Sequence, residues 1–235
     1  MERLKINVLT LFPGIIEQFC GFGIVGRAAA SGLIAVNPVN IRDSATDRHG
    51  TVDDTPYGGG AGMILKADVL ARSLRSVVPE PEKAHVVLLT PQGAVLTQTT
   101  ANRMSLYGEF TLVCGRYRGV DERFRERYVT EELSIGDYVL SGGEPAAMVV
   151  IDAVTRLLPG VMQDFESGCD DSFQNDLLDS PWYTRPLEFE GLAVPDVLLH
   201  GNHELIRRWR QEQAEQRTRE RRPDLYRKWE SQDRE

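Results

Sequence analysis

The sequence has 235 residues, 41% hydrophobic and 26% charged, enough for one large domain or a medium domain with a small one. No apolar run approaches the ~20 residues of a membrane span, and the amino-terminal Arg3-Leu4-Lys5-Ile6 begins a strand-like pattern without a signal-peptide core, so the cytoplasm is expected. The net charge of −8 argues against indiscriminate nucleic-acid binding, but residues 200–235 carry ten Lys and Arg against eight Asp and Glu, a slightly basic tail on an acidic body.

Lys5–Phe12 reads as a buried strand stopped by Pro13-Gly14, with a short helix through Phe19. The next run, Gly21-Phe22-Gly23-Ile24-Val25-Gly26, has the spacing of a dinucleotide fingerprint. Eight residues separate it from the strand end, so it is read instead as a loop before a helix over Ile24–Ala30. Leu33–Ile41 is a second strand, and Pro38 assigns it to an edge or a bulge. Residues 43–62 are polar and glycine-rich, a loop of about 20 residues of the kind that serves function in compact domains. Lys66–Val78 is a helix.

A strand–loop–helix rhythm follows. Strand Ala84–Leu89 ends in Thr90-Pro91-Gln92-Gly93, before a helix over Thr97–Leu106. Strand Glu109–Val113 ends in Cys114-Gly115-Arg116-Tyr117-Arg118-Gly119, before a helix over Asp121–Tyr128. A third loop, Ser134–Pro145, precedes a helix over Ala146–Leu158. Such alternation predicts a parallel sheet with helices outside, and the glycine loops then gather at the carboxyl edge, where open α/β sheets bind ligands. The Ser134–Pro145 run holds three glycines, two acids, four large apolar or aromatic side chains and no Lys or Arg. It suits a flat, largely uncharged ring better than a phosphate.

Pro159-Gly160 breaks the rhythm. Residues 161–180 hold six acids and no Lys or Arg, and are read as a mobile linker. Residues 181–235 are read as a small all-helical domain, with Asn202 capping a helix to about Arg219 and Pro223 opening a last helix with Tyr226 and Trp229. The expected organisation is thus 1–160, a linker over 161–180, and 181–235. The three cysteines are odd in number and widely spaced, which speaks against a disulfide framework. No His/Cys group has zinc-ligand spacing; His200 and His203 lie three apart without a third ligand nearby, so no metal ligand is assigned.

Several of these runs together are specific. Val52-Asp53-Asp54-Thr55-Pro56-Tyr57-Gly58-Gly59-Gly60, Cys114-Gly115-Arg116-Tyr117, the run Ser134–Glu144, Leu177–Pro186, Gly201-Asn202-His203 and Arg217-Thr218 occur in order along nearly the whole chain. In this the chain closely resembles the bacterial tRNA (guanine-N1)-methyltransferases, which modify guanosine 37 beside the anticodon. The resemblance implies an α/β fold of the SPOUT class, with a deep trefoil knot that holds S-adenosylmethionine in a bent form. It also implies an obligate homodimer with active sites at the subunit interface, and a flexible linker leading to a helical tRNA-binding domain.

Residue by residue, the resemblance assigns Asp171 as the base that takes the N1 proton and Arg156 as the group that stabilises charge on guanine O6. From the sequence alone, Asp171 is a linker carboxylate and Arg156 an i,i+4 partner of Asp152. The methyl-donor site falls on Leu88, Leu89, Pro91, Gly115, Ile135, Gly136, Asp137, Tyr138, Val139, Leu140, Gly142, Gly143 and Pro145. The candidates for tRNA are Arg48, His49, Tyr57, Gly58, Gly59, Ser172, Arg207, Arg208, Arg210 and Arg217, the last four on a helix where Glu residues interleave with them. One departure is Arg118, where the family often has a Glu associated with methyl positioning and magnesium dependence. Either Arg118 points away from the cationic donor, or this chain manages that charge differently, and the reversed sign counts against Mg2+. Another departure is His200 in place of Ser. A ribose methyltransferase of the same class and a non-enzymatic RNA-binding module remain as alternatives.

Overall fold

The computed structural model describes residues 3–162, 172–173 and 176–232. The chain divides into two compact units, Met1–Gln163 and Asp164–Glu235.

The first unit is a five-stranded parallel sheet. In chain order its strands are β1 (Leu4–Thr10), β2 (Ile34–Asn40), β5 (Val86–Val95), β6 (Glu109–Cys114) and β7 (Glu131–Ser134). They lie side by side as β2-β1-β6-β5-β7, and every neighbouring pair is parallel. A separate antiparallel pair, β3 (Asp53–Asp54) and β4 (Ile64–Leu65), brackets the glycine-rich loop. Pro38 sits in β2 opposite Val8, on the outer strand, where a missing N–H costs no ladder bond.

Both faces of the sheet are covered, and the period of two in its strands shows how. Val87, Leu89 and Leu112 join one core cluster, with Ile16 of α1 (Pro13–Phe19), Val25 of α2 (Gly23–Ala30), Met104 of α4 (Gln98–Ser105) and Val150 of α6 (Glu144–Thr155). Val86, Leu88 and Val113 join the other, with Leu70 and Leu74 of α3 (Ala67–Val77) and Phe124 of α5 (Glu122–Tyr128). Alternate residues of one strand therefore feed opposite cores, which requires the near-continuous apolar runs seen in the sequence. The helices start where capping side chains allow: Thr97 Oγ1 accepts from the Thr100 N–H at 3.2 Å, and Asp121 Oδ1 from the Arg123 N–H at 2.9 Å.

Most boundaries agree with the sequence reading to within one or two residues, and two differences bear on the cleft. Strand β5 does not stop at Leu89. Leu89 and Ala94 both face Leu133 of β7, so Thr90–Gly93 bulge out and pairing resumes beyond them. Helix α6 begins at Glu144 rather than Ala146, because Pro145 is favourable in a first turn, and it ends at Thr155, with Arg156 as its C-cap. Between β7 on the outer edge and α6, residues 135–143 cross back toward the sheet centre. Gly143 N–H donates to Gly115 O at 2.9 Å there. This return path is consistent with the knotted trace that the resemblance implies.

The second unit is built on α7 (His203–Arg221) and α8 (Pro223–Gln232). Asn202 Oδ1 caps α7 by accepting from the Leu205 N–H at 3.2 Å. The unit also contains a short hairpin, β8 (Glu188–Phe189) and β9 (Leu192–Ala193), whose turn at Glu190-Gly191 has positive φ at both residues. Residues 176–180, read from composition as linker, lie in this unit. Leu177 and Ser180 are buried, and the Leu178 N–H donates to Thr218 Oγ1 of α7 at 2.8 Å. The rest of the acidic stretch, 163–171 and 174–175, lies outside the described residues. Among the described residues no helix is long and apolar enough to cross a membrane.

The β5 bulge rests on Gly93. A Cβ there would lie 2.4 Å from Glu132 C and 2.5 Å from Leu133 N, both backbone atoms that cannot swing aside. Gly93→Ala is expected to destabilise the protein by about 1–3 kcal/mol in urea unfolding, the range typical of overpacking, whereas Gly108→Ala, which meets nothing within 4 Å, changes little.

Candidate active site

The loops after β5, β6 and β7 meet at the carboxyl edge of the sheet and enclose a cleft of about 310 Å³. Leu88, Leu89, Pro91, Ile135, Leu140 and Ala146 supply apolar wall, and the backbone of Gly115, Gly136, Gly142 and Gly143 supplies much of the rest. Its size and lining suit a small ligand with an apolar ring.

Glycine in these loops serves first to let chain meet chain. At Gly142 a Cβ would lie 2.5 Å from Glu144 Oε2 and 2.8 Å from Arg116 Nη2, and at Gly143 one would lie 2.7 Å from Cys114 Cα. Residues 142 and 143 are thus pressed against the end of β6, where Arg116 and Gly142 form an antiparallel bridge. Gly136, at φ 146°, receives the Tyr138 ring, whose hydroxyl donates to Ile135 O at 3.2 Å.

Beneath the cleft lies a buried polar network. Glu144, 2% exposed in the first turn of α6, accepts from Thr10 Oγ1 at 2.8 Å and pairs with Arg116 Nη2 at 3.1 Å. Thr10 in turn accepts from the Phe12 N–H at 2.9 Å, and the Arg116 guanidinium lies 4.3 Å from the centre of the Phe12 ring. The negative charge also sits favourably at the positive end of α6. Burial first, and then the Glu144 carboxylate, push the neighbouring Cys114 thiol well above its ordinary pKa, which keeps it neutral and unreactive. At the other wall Arg125 pairs with Glu122 and, at 2.7 Å, with Glu132. The bond to Arg125 holds the Glu122 carboxyl below its usual range.

Of the methyl-donor residues expected from the sequence, Leu88, Leu89, Pro91, Gly115, Ile135, Gly136, Tyr138, Val139, Leu140, Gly142 and Gly143 line the cleft; Asp137 and Pro145 do not. Thr90, Gln92, Arg116, Tyr117, Val120, Glu122, Arg125 and Glu132 line it as well and were not assigned to it, and so does Arg118, noted from the sequence as a departure. Thr90 and Gln92 flank Pro91 in a loop that the sequence placed at this edge, and the β5 bulge brings all three to the cleft.

The structure does not bring every expected residue to this cleft. Arg156 closes the far end of α6, about 18 Å along the axis from Glu144 at the usual helical rise. Its N–H donates to Asp152 O at 3.2 Å. Asp171 lies outside the described residues. Tyr57, Gly58 and Gly59 stand on the β3–β4 loop, with Tyr57 99% exposed. Arg48 and His49 flank a turn in which Asp47 accepts from the His49 N–H at 2.9 Å. In the second unit, Ser172 Oγ accepts from the Asp179 N–H at 2.9 Å. Arg207 and Arg208 are exposed, and Arg208 pairs with Glu212 at 3.0 Å. Arg210 lies 4.2 Å over Trp182, and Arg217 donates to Asp179 O at 3.4 Å, so both also hold the unit together.

The profile of the family described as tRNA (Guanine-1)-methyltransferase TrmD matches residues 4–228. A "tRNA (guanine-N(1)-)-methyltransferase" of Mesorhizobium japonicum is 52% identical over 221 residues, covering 94% of this chain and 95% of the relative. Proteins of the same description from Magnetococcus marinus and Rhizobium etli are 52% and 51% identical, covering 94% and 97% of this chain and 89% and 97% of their own lengths.

Removing Glu144 would leave Arg116 and Thr10 without their acceptor. Glu144→Ala is expected to lower the unfolding free energy by about 2–3 kcal/mol, discounted for the partial exposure of Arg116. Glu144→Gln, which keeps an acceptor oxygen, should lose less; equal losses in urea unfolding would rule out the network as the cause.

Proposed function

Given that the chain belongs to the tRNA (guanine-1)-methyltransferase family, we propose that it transfers the methyl group of S-adenosylmethionine to N1 of guanosine 37 in tRNA. The observation that carries this reading is the cleft itself: three loops from adjacent parallel strands, apolar walls, and close-packed glycines at the carboxyl edge.

S-adenosylmethionine supplies an electrophilic methyl group on a sulfonium. Leu88, Leu89, Pro91, Ile135, Tyr138 and Leu140 would hold its adenosine part, with the backbone of Gly115, Gly136, Gly142 and Gly143 close around it. The paired carboxylates Glu122 and Glu132 keep that wall from being uniformly cationic. On the acceptor side, guanine N1 carries a proton and becomes nucleophilic only as that proton leaves. Asp171 takes it, Arg156 stabilises the negative charge that moves onto O6, and the N1 electron pair forms the new bond to carbon as the carbon–sulfur bond breaks toward sulfur.

Arg156 sits at the far end of α6 from the cleft of its own chain. A homodimer, in which a second copy brings its Arg156 to this cleft, reconciles the two, and the active site then belongs to the subunit interface. In this reading the residues over 181–235 grip the tRNA, through side chains such as Arg207 and Arg208. Arg48, His49 and the Tyr57–Gly59 turn complete the tRNA surface. Magnesium stays outside this proposal, because Arg118 puts a cation where the family often has a Glu. The proposed compartment is the cytoplasm, where tRNA is modified.

Incubation with a tRNA carrying guanosine 37, followed by nucleoside analysis, should yield 1-methylguanosine; a ribose-methylated product, or none, overturns the reading. Asp171→Ala should lower kcat by about 10²–10⁴, the usual worth of a general base. S-adenosylhomocysteine at about 100 times its Kd should add about 2.7 kcal/mol of stability, read as a rise in Tm, in wild type and in this variant alike.

A further inference from the structure

Three arginines line the cleft, and two have carboxylate partners: Arg116 with Glu144, and Arg125 with Glu122 and Glu132. Arg118 has none among the described residues. Its Nη1 donates instead to the backbone carbonyl of Ala61 at 2.6 Å, across to the glycine-rich loop between β3 and β4. The stem of the side chain lies flat on that loop. A Cβ on Gly62, at φ 93°, would come within 2.9 Å of Arg118 Cγ, and one on Gly60, at φ 111°, within 3.7 Å of Arg118 Nη1. At Gly62 the stem leaves no room for a Cβ, while the 3.7 Å at Gly60 is ordinary van der Waals contact.

Backbone bonds already zip the two segments together nearby. The Arg118 N–H donates to Met63 O at 3.0 Å, the Leu65 N–H to Gly119 O at 3.0 Å, and the Asp121 N–H to Leu65 O at 3.0 Å. This zip ends at Met63. The Arg118 side chain extends it to Gly60–Gly62, next to the turn in which the Gly59 N–H donates to Pro56 O at 3.2 Å and Tyr57 stands free in solvent.

We propose that Arg118 is a positioning residue that latches the Tyr57–Gly62 loop to the rim of the methyl-donor cleft, so that the loop meets the target nucleotide in one arrangement. One of its donors is used on a carbonyl of that loop, at Ala61, which does not line the cleft. The catalytic consequence rests on the function proposed above, but the latch itself does not.

The test uses full-length Arg118→Ala, Arg118→Met and Arg118→Lys. Met keeps the stem and loses the donor, and Lys keeps a charged donor. Chymotrypsin cleavage after Tyr57, followed by mass spectrometry, reports release of the loop without any ligand, since cutting follows local opening. The Ala and Met variants should be cut about tenfold faster, as loss of a hydrogen bond to a charged group predicts, and Lys should recover most of the protection. The KM for tRNA should rise in the same order, with a smaller change in S-adenosylhomocysteine affinity by calorimetry. Unchanged Tyr57 cleavage in both Ala and Met, or a Lys variant no better than Met, overturns the latch. If wild type fails to bind S-adenosylhomocysteine, the proposed function falls, and the cleavage rates still decide the latch.

Discussion

Everything at the carboxyl edge depends on a backbone-to-backbone contact between Gly142-Gly143 and the end of β6. The chain leaves β7 on the outer edge of the sheet and must come back over β5 to reach the centre before α6 can begin. It does so with the Gly143 N–H on Gly115 O and with so little room that a methyl group at either glycine would strike neighbouring atoms. The cleft walls are the two sides of that crossing. Were residue 142 or 143 larger, the return segment would stand off from β6, and the cleft would open as α6 lost its docking.

The first turn of α6 fastens the crossing from below. Glu144 is nearly inaccessible, yet both of its oxygens are used, one by the hydroxyl at the end of β1 and one by Arg116 at the end of β6. A buried carboxylate with its partners in place ties two strand ends and a helix start to one geometry. Above it, Arg116 stacks on Phe12 while also facing the cleft, so the same guanidinium belongs both to the foundation and to the wall.

Much of this could be read from the sequence. The apolar runs of β1, β5 and β6 and the intervening helical stretches predicted the parallel order, and the glycine loops after the strands identified the edge where the cleft lies. Other features depend on partners distant in the chain. The bulge at Thr90–Gly93 exists because β7 resumes pairing beyond it, and nothing in Thr-Pro-Gln-Gly announces that. The glycines of Ser134–Pro145 pointed to close approach, but the sequence could not say that the end of β6 makes such an approach as well as the cleft. Arg118 raised a charge problem that only its reach to Ala61 answers. Arg156 was assigned by the resemblance, and the helix already expected over Ala146–Leu158 put it at the end remote from the glycine loop, as the structure has it.

The basic helix of the second unit has a consequence for ionic strength. Counting arginines suggests many phosphate contacts, and each such contact would release counterions and steepen the dependence of affinity on salt, by about 0.7 to 0.9 in the logarithmic slope. Several of those cations are already engaged, Arg210 on Trp182, Arg217 on Asp179, Arg219 on Tyr226, and Arg222 on Asp224. A guanidinium held against an indole or a carbonyl gives shape to the surface and adds less to its titratable grip on a polyanion. For the tRNA contact proposed above, this arrangement would favour a contoured surface over general adhesion to charge, in keeping with a chain whose net charge is negative.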